Sequence, residues 1–206
     1  MKIRCSSLGK IMTNPRSKSE SLSATCKSYI KQLVKEDLFN YRALIGSKEM
    51  DKGTQEEDNS ILLYNSAHLT SYVKNDVRLS NDYIQGECDI NGEDIIIDIK
   101  SSWSLETFPA SNEDIDSKAY EWQLRGYMWL YEKPKARLAY CMVSTPDHLL
   151  KDWDNLSIHK VDHIDPVLRV SVADFERDID LEYKIAERVM ECREYYEEYK
   201  QLILNK

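Results

Sequence analysis

Two aspartates and one lysine, close together in the sequence, are the residues best suited to chemistry. Asp98 and Lys100 lie in the run DIIIDIK at residues 94–100, and Asp89 precedes Asp98 by nine residues. The run is short, β-branched and free of helix formers, so we predict a strand whose alternating side chains put Asp98 and Lys100 on one face. The opposite face consists of Ile95, Ile97 and Ile99. Charged groups beside a buried face are costly unless paired, and two carboxylates at this spacing can share a divalent cation.

The turn between Asp89 and Asp98 decides whether the two carboxylates can meet. A type I′ turn at Asn91-Gly92 would place Asp89 opposite Asp94, far along the strand from Asp98. A type II′ turn at Gly92-Glu93 would make Asp89 the diagonal neighbour of Asp98, at about 7–8 Å. We expect the second register or a wider loop. The alternative that the spacing leaves open is a surface hairpin with solvated acids.

Two further segments carry polar residues at helical spacing. Gly53 begins the run GTQEE, which supplies Glu57, with Gly53 allowing close approach and Glu56 as a fallback ligand if the helix is rotated. Gln123 and Tyr127 are four residues apart, so they share one helix face. From the residues alone, Tyr127 could also be a core aromatic residue and Gln123 a surface amide.

Taken in order, these elements resemble the PD-(D/E)xK nuclease superfamily, and within it the lambda-type phage recombination exonucleases and their RecB-like and YqaJ-like relatives. That family has a GxxxE helix, an aspartate, a (D/E)xK strand and a QxxxY helix. The resemblance covers about residues 50–146, and the segments IDIKSSW and WQLRGYMWLY are especially similar to phage members. The matching residues are Gly53, Glu57, Asp89, Asp98, Lys100, Gln123 and Tyr127.

The resemblance implies a catalytic centre with two Mg²⁺ ions, for which Mn²⁺ can substitute. It implies that the metals are held by Glu57, Asp89, Asp98 and the backbone carbonyl of Ile99, which are hard oxygen ligands of the kind that Mg²⁺ prefers. Lys100 would orient the attacking water and help to activate it.

The resemblance also implies roles for four further residues. Gln123 and Tyr127 would brace the site or contact the DNA backbone. The N-terminal run RCSSLGKIM resembles the segment with which phage members begin, so Arg4 and Ser6 would meet the terminal phosphate. Some RecB-like relatives hold an iron–sulfur cluster with four cysteines. We expect no cluster here, because the C-terminal candidates are two cysteines fifty-one residues apart.

The function implied is a Mg²⁺-dependent DNA exonuclease that acts 5′→3′ on double-stranded ends and leaves 3′ single strands for a single-strand annealing protein. A ring-shaped trimer with a DNA-lined channel is also implied. An endonuclease or a CRISPR-associated RecB-like nuclease would have the same metal site. A non-catalytic DNA-end-binding or protein-binding module on the same fold, or an unrelated acidic interaction protein, are the alternatives from other classes.

The charge distribution permits a nucleic-acid partner although the net charge is −8. Residues 1–48 hold ten Lys and Arg against three acids, whereas the remainder holds 18 basic and 33 acidic side chains. A basic segment beside an acidic body can present one face to phosphates, although a solvated basic helix has the same composition.

No apolar run suits a membrane span or signal peptide, and five scattered cysteines favour reduced thiols. We expect the cytoplasm, which is the bacterial host cytosol if a phage or prophage encodes the chain.

The length of the chain predicts one domain over residues 1–206, which the resemblance implies is a nuclease domain. Its parts are a basic helical N-terminal segment at 1–48, a catalytic core at 50–146 and a long C-terminal helix at 178–204. Periodicity predicts helices over 4–12, 23–39, 47–69, 119–131, 146–153 and 178–204, and strands over 72–74, 83–90, 94–100, 136–143 and 167–172. Helices flanking a small mixed central sheet give an α/β (α+β) fold, for which the resemblance implies a restriction-endonuclease-like core.

Overall fold

The computed structural model describes residues 1–44 and 46–206, and in this part of the chain two small β-sheets are surrounded by six α-helices. The strands are β1 (Ile3–Arg4), β2 (Leu79–Ser80), β3 (Ile84–Gly86), β4 (Ile90–Asn91), β5 (Ile95–Ser101), β6 (Lys135–Cys141) and β7 (Val170–Glu176). The helices are α1 (Leu8–Ile11), α2 (Ala24–Leu38), α3 (Lys48–Gln55), α4 (Glu57–His68), α5 (Glu121–Tyr131) and α6 (Ile179–Leu204). The predicted α/β class with a long C-terminal helix is confirmed, although the sheet is divided in two.

The run of isoleucines forms β5, an inner strand of the larger sheet, as predicted. This sheet has the order β4-β5-β6-β7. β5 pairs antiparallel with β4 and parallel with β6, and β6 pairs antiparallel with β7. The smaller sheet has the order β1-β3-β2, in which β1 and β3 are parallel. Both sheets are therefore mixed.

The two faces of β5 pack against different helices. Ile97 and Ile99 belong to a core cluster with Ile61 of α4. Ile96 belongs to the main core, which includes buried residues of α2, α5 and α6. The predicted alternation is thus confirmed. Burying one isoleucine side chain contributes about 1.5–3 kcal/mol, so these clusters fix the face on which Asp98 lies.

The long helix α6 packs along α2 and completes the main core. Its first turn is capped by Asp178, whose Oδ1 accepts hydrogen bonds from the backbone nitrogens of Asp180 at 2.9 Å and Leu181 at 3.3 Å. An apolar stripe along this helix is buried or partly buried, and consists of Ile185, Val189, Cys192, Tyr196, Tyr199 and Ile203. Across the described residues, none of the helices combines the length and apolar character that a bilayer crossing requires.

The helix predicted over residues 47–69 is interrupted at Glu56, which separates α3 from α4. Glu56 has φ −102° and ψ 11°, outside the usual α-helical range. Two apolar residues of this segment, Leu62 and Leu69, are 65% and 94% exposed. Leu62 lies opposite the buried face of α4, which Leu63 joins instead, and Leu69 ends the helix in a left-handed conformation with φ 54°.

Four other predicted elements differ from the structure. The strand expected around Tyr72 does not form, because the side-chain amide of Asn65 binds both the nitrogen and the carbonyl of Tyr72. The strand expected over 83–90 divides into β3 and β4, which belong to different sheets. The helix expected over 146–153 is a single 3₁₀ turn at Asp147–Leu149, and β7 begins three residues later than the predicted strand.

Candidate active site

The β4–β5 hairpin brings Asp89 and Asp98 together, but through a different turn from the one expected. Ile90 pairs with Ile97, and Gly92 donates its backbone N–H to the carbonyl of Ile95 at 2.8 Å. The turn residues are therefore 93 and 94, and none of residues 92–94 has a positive φ, so neither primed turn forms. The expected type II′ register is wrong by two positions. Continued by one residue, the observed register places Asp89 directly opposite Asp98.

The Asp89 side chain replaces a missing strand neighbour of β5. Because β4 begins at Ile90, the backbone before it offers no ladder partner to Ile99, and Asp89 Oδ2 accepts the Ile99 N–H at 2.6 Å. The backbone of this segment is held by Asn75, which donates its backbone N–H to the Asp89 carbonyl at 2.8 Å and its side-chain amide to the Cys88 carbonyl at 2.9 Å. Asp89 is thus fixed from both sides.

Asp98 is the buried acid of the site, with 1% of its surface exposed. Its Oδ1 accepts a hydrogen bond from Nε2 of Gln123 at 2.7 Å. The same amide nitrogen lies 3.3 Å from the hydroxyl of Tyr127. Tyr127 is also buried in the main core, so it combines the core position with the contact to Gln123. The Gln123 amide therefore contacts Asp98 and Tyr127 within the fold, whereas a surface amide would contact neither.

Lys100 lies on the same side of β5 as Asp98, as the alternation predicts. Its Nζ is 2.6 Å from Asp98 Oδ2 and 5.1 Å from the centre of the Tyr120 ring. Burial alone would lower the pKa of Lys100, but the carboxylates of Asp98 and Asp89 raise it more, and the net shift is upward. In the metal-free protein Lys100 is therefore an ammonium group that can orient a water molecule or a phosphate.

The two aspartates repel each other. Burial, and then the negative charge of Asp98, raise the pKa of Asp89 from 3.8 to about 7. Among the described residues, the partner of Asp98 Oδ2 is the ammonium group of Lys100 at 2.6 Å, so two carboxylates face one ammonium group. A second acid beside this ion pair is an arrangement that a divalent cation would relieve.

Glu57 is near this pair but directed elsewhere. It is the first residue of α4, and its Oε1 lies 3.0 Å from Nζ of Lys74, while its charge contributes to the raised pKa of Asp89. Glu56 instead accepts a hydrogen bond from Asn59 at 2.7 Å. A β-carbon on Gly53 would meet no atom within 4 Å, so the expected close approach at Gly53 is wrong.

A metal site is therefore only partly assembled. Within the described part of the chain, no group of three His, Cys, Asp or Glu side chains has the spacing to hold a metal ion. The oxygen donors of Asp89 and Asp98 nevertheless suit a hard divalent cation, and Glu57 adjoins them. The residues present fit the ion that the sequence predicts, provided that Glu57 turns from Lys74 toward the aspartates.

The N-terminal segment reaches α5 next to Tyr127. A β-carbon on Gly86 would lie 2.7 Å from both Cys5 Sγ and a ring carbon of Tyr127, and one on Gly126 would lie 2.6 Å from a methyl group of Leu8. Only glycine at these two positions admits the buried side chains of the segment. The two residues carried over from the resemblance, Arg4 and Ser6, are exposed on its other side.

Three residues at the site escaped the sequence analysis. Lys74 ends the segment that was predicted to be a strand, Asn75 directly follows it, and Tyr120 precedes the first residue of α5. An amide, a lysine and a tyrosine have no motif spacing by themselves. Only the fold shows that they contact the segments bearing Asp89, Glu57 and Lys100.

Comparisons with known proteins agree with this geometry. No protein-family model and no curated protein matches the sequence. Among solved structures, a phage-related exonuclease from Haemophilus somnus 129PT is 34% identical with a TM-score of 0.89, over 100% of this chain and 96% of that one. The alkaline exonuclease LHK-Exo from Laribacter hongkongensis is 16% identical with a TM-score of 0.71, over 99% of this chain and 92% of that one, and has the same fold. A second structure of LHK-Exo, in complex with dAMP, has a TM-score of 0.70. The chain therefore belongs to the family of phage-related exonucleases, as its resemblance to the lambda-type enzymes predicted.

Proposed function

We propose that this exonuclease is a divalent-metal-dependent DNase that hydrolyses phosphodiester bonds at double-stranded DNA ends, in the 5′→3′ direction. The observation that carries the proposal is the buried Asp98, which faces the second acid Asp89 and has the Lys100 ammonium group 2.6 Å from its Oδ2. Two adjacent buried acids cost free energy in the metal-free protein, and a bound cation would offset that cost. A metal-dependent nuclease needs such a cation-binding pair of acids.

In this proposal the metal ligands are Glu57, Asp89, Asp98 and the backbone carbonyl of Ile99. When bound, two Mg²⁺ ions, or Mn²⁺ in their place, would neutralise charge on the attacking and leaving oxygens. Asp89 is held for this task by its contact with the Ile99 N–H, which fixes one carboxylate oxygen and leaves the other available. Glu57 would exchange its contact with Lys74 for the shared site.

Three side chains would then act on the substrate or on Asp98. Gln123 donates to Asp98 Oδ1, which keeps Oδ2 directed at the site, and Tyr127 supports the Gln123 amide. The ammonium group of Lys100, 2.6 Å from Asp98 Oδ2, would hold the attacking water or a phosphate oxygen close to the scissile bond. Its raised pKa favours this electrostatic role over proton abstraction in the metal-free state.

The proposals for the DNA-end contacts, the oligomeric state, the location and the protein partner are based on the family resemblance. Arg4 and Ser6 would meet the terminal phosphate, because the segment that bears them packs beside Tyr127 with both side chains exposed. The dAMP bound to LHK-Exo supports a nucleotide as ligand of this fold. A trimeric ring in the cytoplasm, with the basic segment 1–48 as DNA surface and a single-strand annealing protein as partner, completes the proposal.

Digestion of linear duplexes labelled at the 5′ or the 3′ end tests the proposal directly. With Mg²⁺ the 5′ label should be released first as mononucleotide, and EDTA should stop the release. A circular plasmid without ends should remain intact, since its degradation would favour an endonuclease. The Lys100→Ala variant should bind DNA ends and fold normally without cleaving, so wild-type cleavage by this variant would refute the assigned site.

A further inference from the structure

Lys52 of α3 is completely buried although it carries an ammonium group. Its Nζ donates to three backbone carbonyls, those of Ser102 at 2.6 Å, Val143 at 2.8 Å and Trp103 at 3.1 Å. These contacts use all three donors of the group. A buried ammonium without a carboxylate partner is costly, and an apolar side chain of the same length would pack without that cost. Packing alone therefore does not account for a lysine here.

The three carbonyls lie just beyond the ends of β5, which bears Asp98 and Lys100, and of its parallel neighbour β6. Ser102 and Trp103 directly follow β5, and Val143 follows β6 by two residues. The Trp103 carbonyl also accepts hydrogen bonds from Thr145 at 3.0 Å and lies 3.2 Å from the His159 ring nitrogen. Lys52 is thus the centre of a polar network that fixes the chain two residues beyond Lys100.

A second buried contact joins the helices to the same strand end. Ser60 of α4 is fully buried, and its hydroxyl lies 2.7 Å from the hydroxyl of Ser101, the last residue of β5. Lys52 and Ser60 lie on either side of Glu57, at distances of five and three residues in the sequence. Glu57 itself stands at the interruption between α3 and α4, where regular helical geometry is broken at Glu56.

We propose that Lys52 and Ser60 are positioning residues, which clamp the α3–α4 junction to the end of β5 and so hold Glu57 at a fixed place relative to Asp98 and Lys100. The inference rests on the proposed function, because it assigns to Glu57 a share in metal binding. Loss of the clamp would let the junction shift. A displacement of about 1 Å at a catalytic group can lower a rate by about 10²-fold, and outer partners of metal ligands affect metal affinity by about 10- to 100-fold.

The test compares metal binding and catalysis in full-length variants. Lys52→Met keeps the length of the side chain and removes the three hydrogen bonds. We expect Mn²⁺ binding, measured by calorimetry without DNA, to weaken about 10- to 100-fold, and kcat to fall by a similar factor. KM for duplex ends should stay within about twofold, since Lys52 is not exposed to DNA. Ser60→Ala should show the same pattern with a smaller loss.

Two control variants separate positioning from stability. Lys133 also donates to a backbone carbonyl, that of Glu93 at 2.7 Å, but in the turn at the opposite end of β5, so Lys133→Met should leave metal binding and kcat unchanged. Val189→Ala removes core volume in α6, far along the chain from the clamp, and should lower the melting temperature while kcat at 25 °C is retained.

The outcomes are distinct. A folded Lys52→Met variant with wild-type metal affinity and kcat would overturn the clamp, and so would a loss no greater than that of an equally destabilised Val189→Ala variant. If Lys52→Met does not fold, Ser60→Ala decides, and wild-type metal affinity there refutes the inference. Absence of cleavage by the wild-type protein would refute the proposed function instead, while the calorimetric comparison would still test the clamp.

Discussion

Ionisation of Asp89, which is disfavoured by burial and then by the charge of Asp98, should make the metal-free protein less stable as the pH rises. Burial and the charge of Asp98 raise the pKa of Asp89 from 3.8 to about 7. The folded protein therefore holds this proton more tightly than the unfolded chain does. The resulting stabilisation is complete below about pH 4 and is lost as the pH rises to about 7 and above. A shift of about three pKa units corresponds to about 4 kcal/mol in the free energy of unfolding.

The Asp89→Asn variant removes the charge and keeps an oxygen that can accept the Ile99 N–H. The hydrogen bond to the Ile99 N–H lowers the pKa of Asp89 and is already included in the net upward shift. In EDTA at pH 8.5 the variant should therefore exceed the wild type by about 4 kcal/mol in urea-induced unfolding. The difference should largely vanish near pH 4, where Asp89 of the folded wild type is protonated and is also a neutral acceptor. Added Mg²⁺ should stabilise the wild type more than the variant.

A second carboxylate of the same hairpin provides the control. Asp94 is an exposed turn residue, so Asp94→Asn should change the free energy of unfolding by no more than about 0.5 kcal/mol at either pH. If Asp89→Asn is less stable than the wild type in EDTA at pH 8.5, or if its gain does not depend on pH, the two aspartates do not repel each other as the geometry requires.

Three further substitutions test the supports of the site. Gln123→Leu removes the donor to Asp98 Oδ1, so thermal denaturation should show a loss of about 1–3 kcal/mol and kcat should fall; an unchanged melting temperature would contradict the contact. Gly126→Ala gains about 1 kcal/mol in helix propensity but puts a β-carbon 2.6 Å from Leu8, so urea unfolding should show a net loss of about 1–2 kcal/mol, and a net gain would exclude tight packing there. Asp178→Ala removes the cap of α6 and should cost about 1 kcal/mol by the same measurement, whereas Asp178→Asn should restore most of it.

The features that the sequence predicts best are those with a regular spacing of side chains along a strand or a helix. The alternation in β5 is strong because three isoleucines fill one core cluster and Ile96 the other, so the common face of Asp98 and Lys100 could be inferred before the fold was known. The spacing of Gln123 and Tyr127 is informative for the same reason, since their common helix face brings the Gln123 amide to Asp98 and the Tyr127 hydroxyl to Gln123.

The register of the hairpin could not be inferred in this way. β4 has two residues, too few for its own alternation to choose among neighbouring turns. The turn at residues 93 and 94 also bypasses Gly92, which the usual hairpin signals favour. The segment near Tyr72 escaped prediction because the amide of Asn65, rather than a strand, satisfies its backbone.

The burial of Lys52 could not be predicted from the sequence. In a charged helix with Glu49 and Asp51 close by, its pattern is that of an exposed residue. Its burial follows from three carbonyls contributed by segments 50 to 91 residues away in the sequence. Burial lowers the pKa of Lys52 to about 8, so at neutral pH the group remains charged, and its hydrogen bonds to carbonyl oxygens are the stronger for it.

The free energy that ionising Asp89 costs in the folded protein can be compared with the stabilisation that a bound cation would provide. Binding to the folded protein alone adds about 2.7 kcal/mol when the free ion is at one hundred times its Kd, and about 4.1 kcal/mol at one thousand times. The second value equals the roughly 4 kcal/mol that ionising Asp89 costs in the folded protein. Excess Mg²⁺ should therefore largely remove the pH dependence of wild-type stability between pH 5 and 8, since it favours the ionised acids that repulsion disfavours. A wild-type stability curve that stays as steep in Mg²⁺ as in EDTA would mean that the ion does not bind between Asp89 and Asp98.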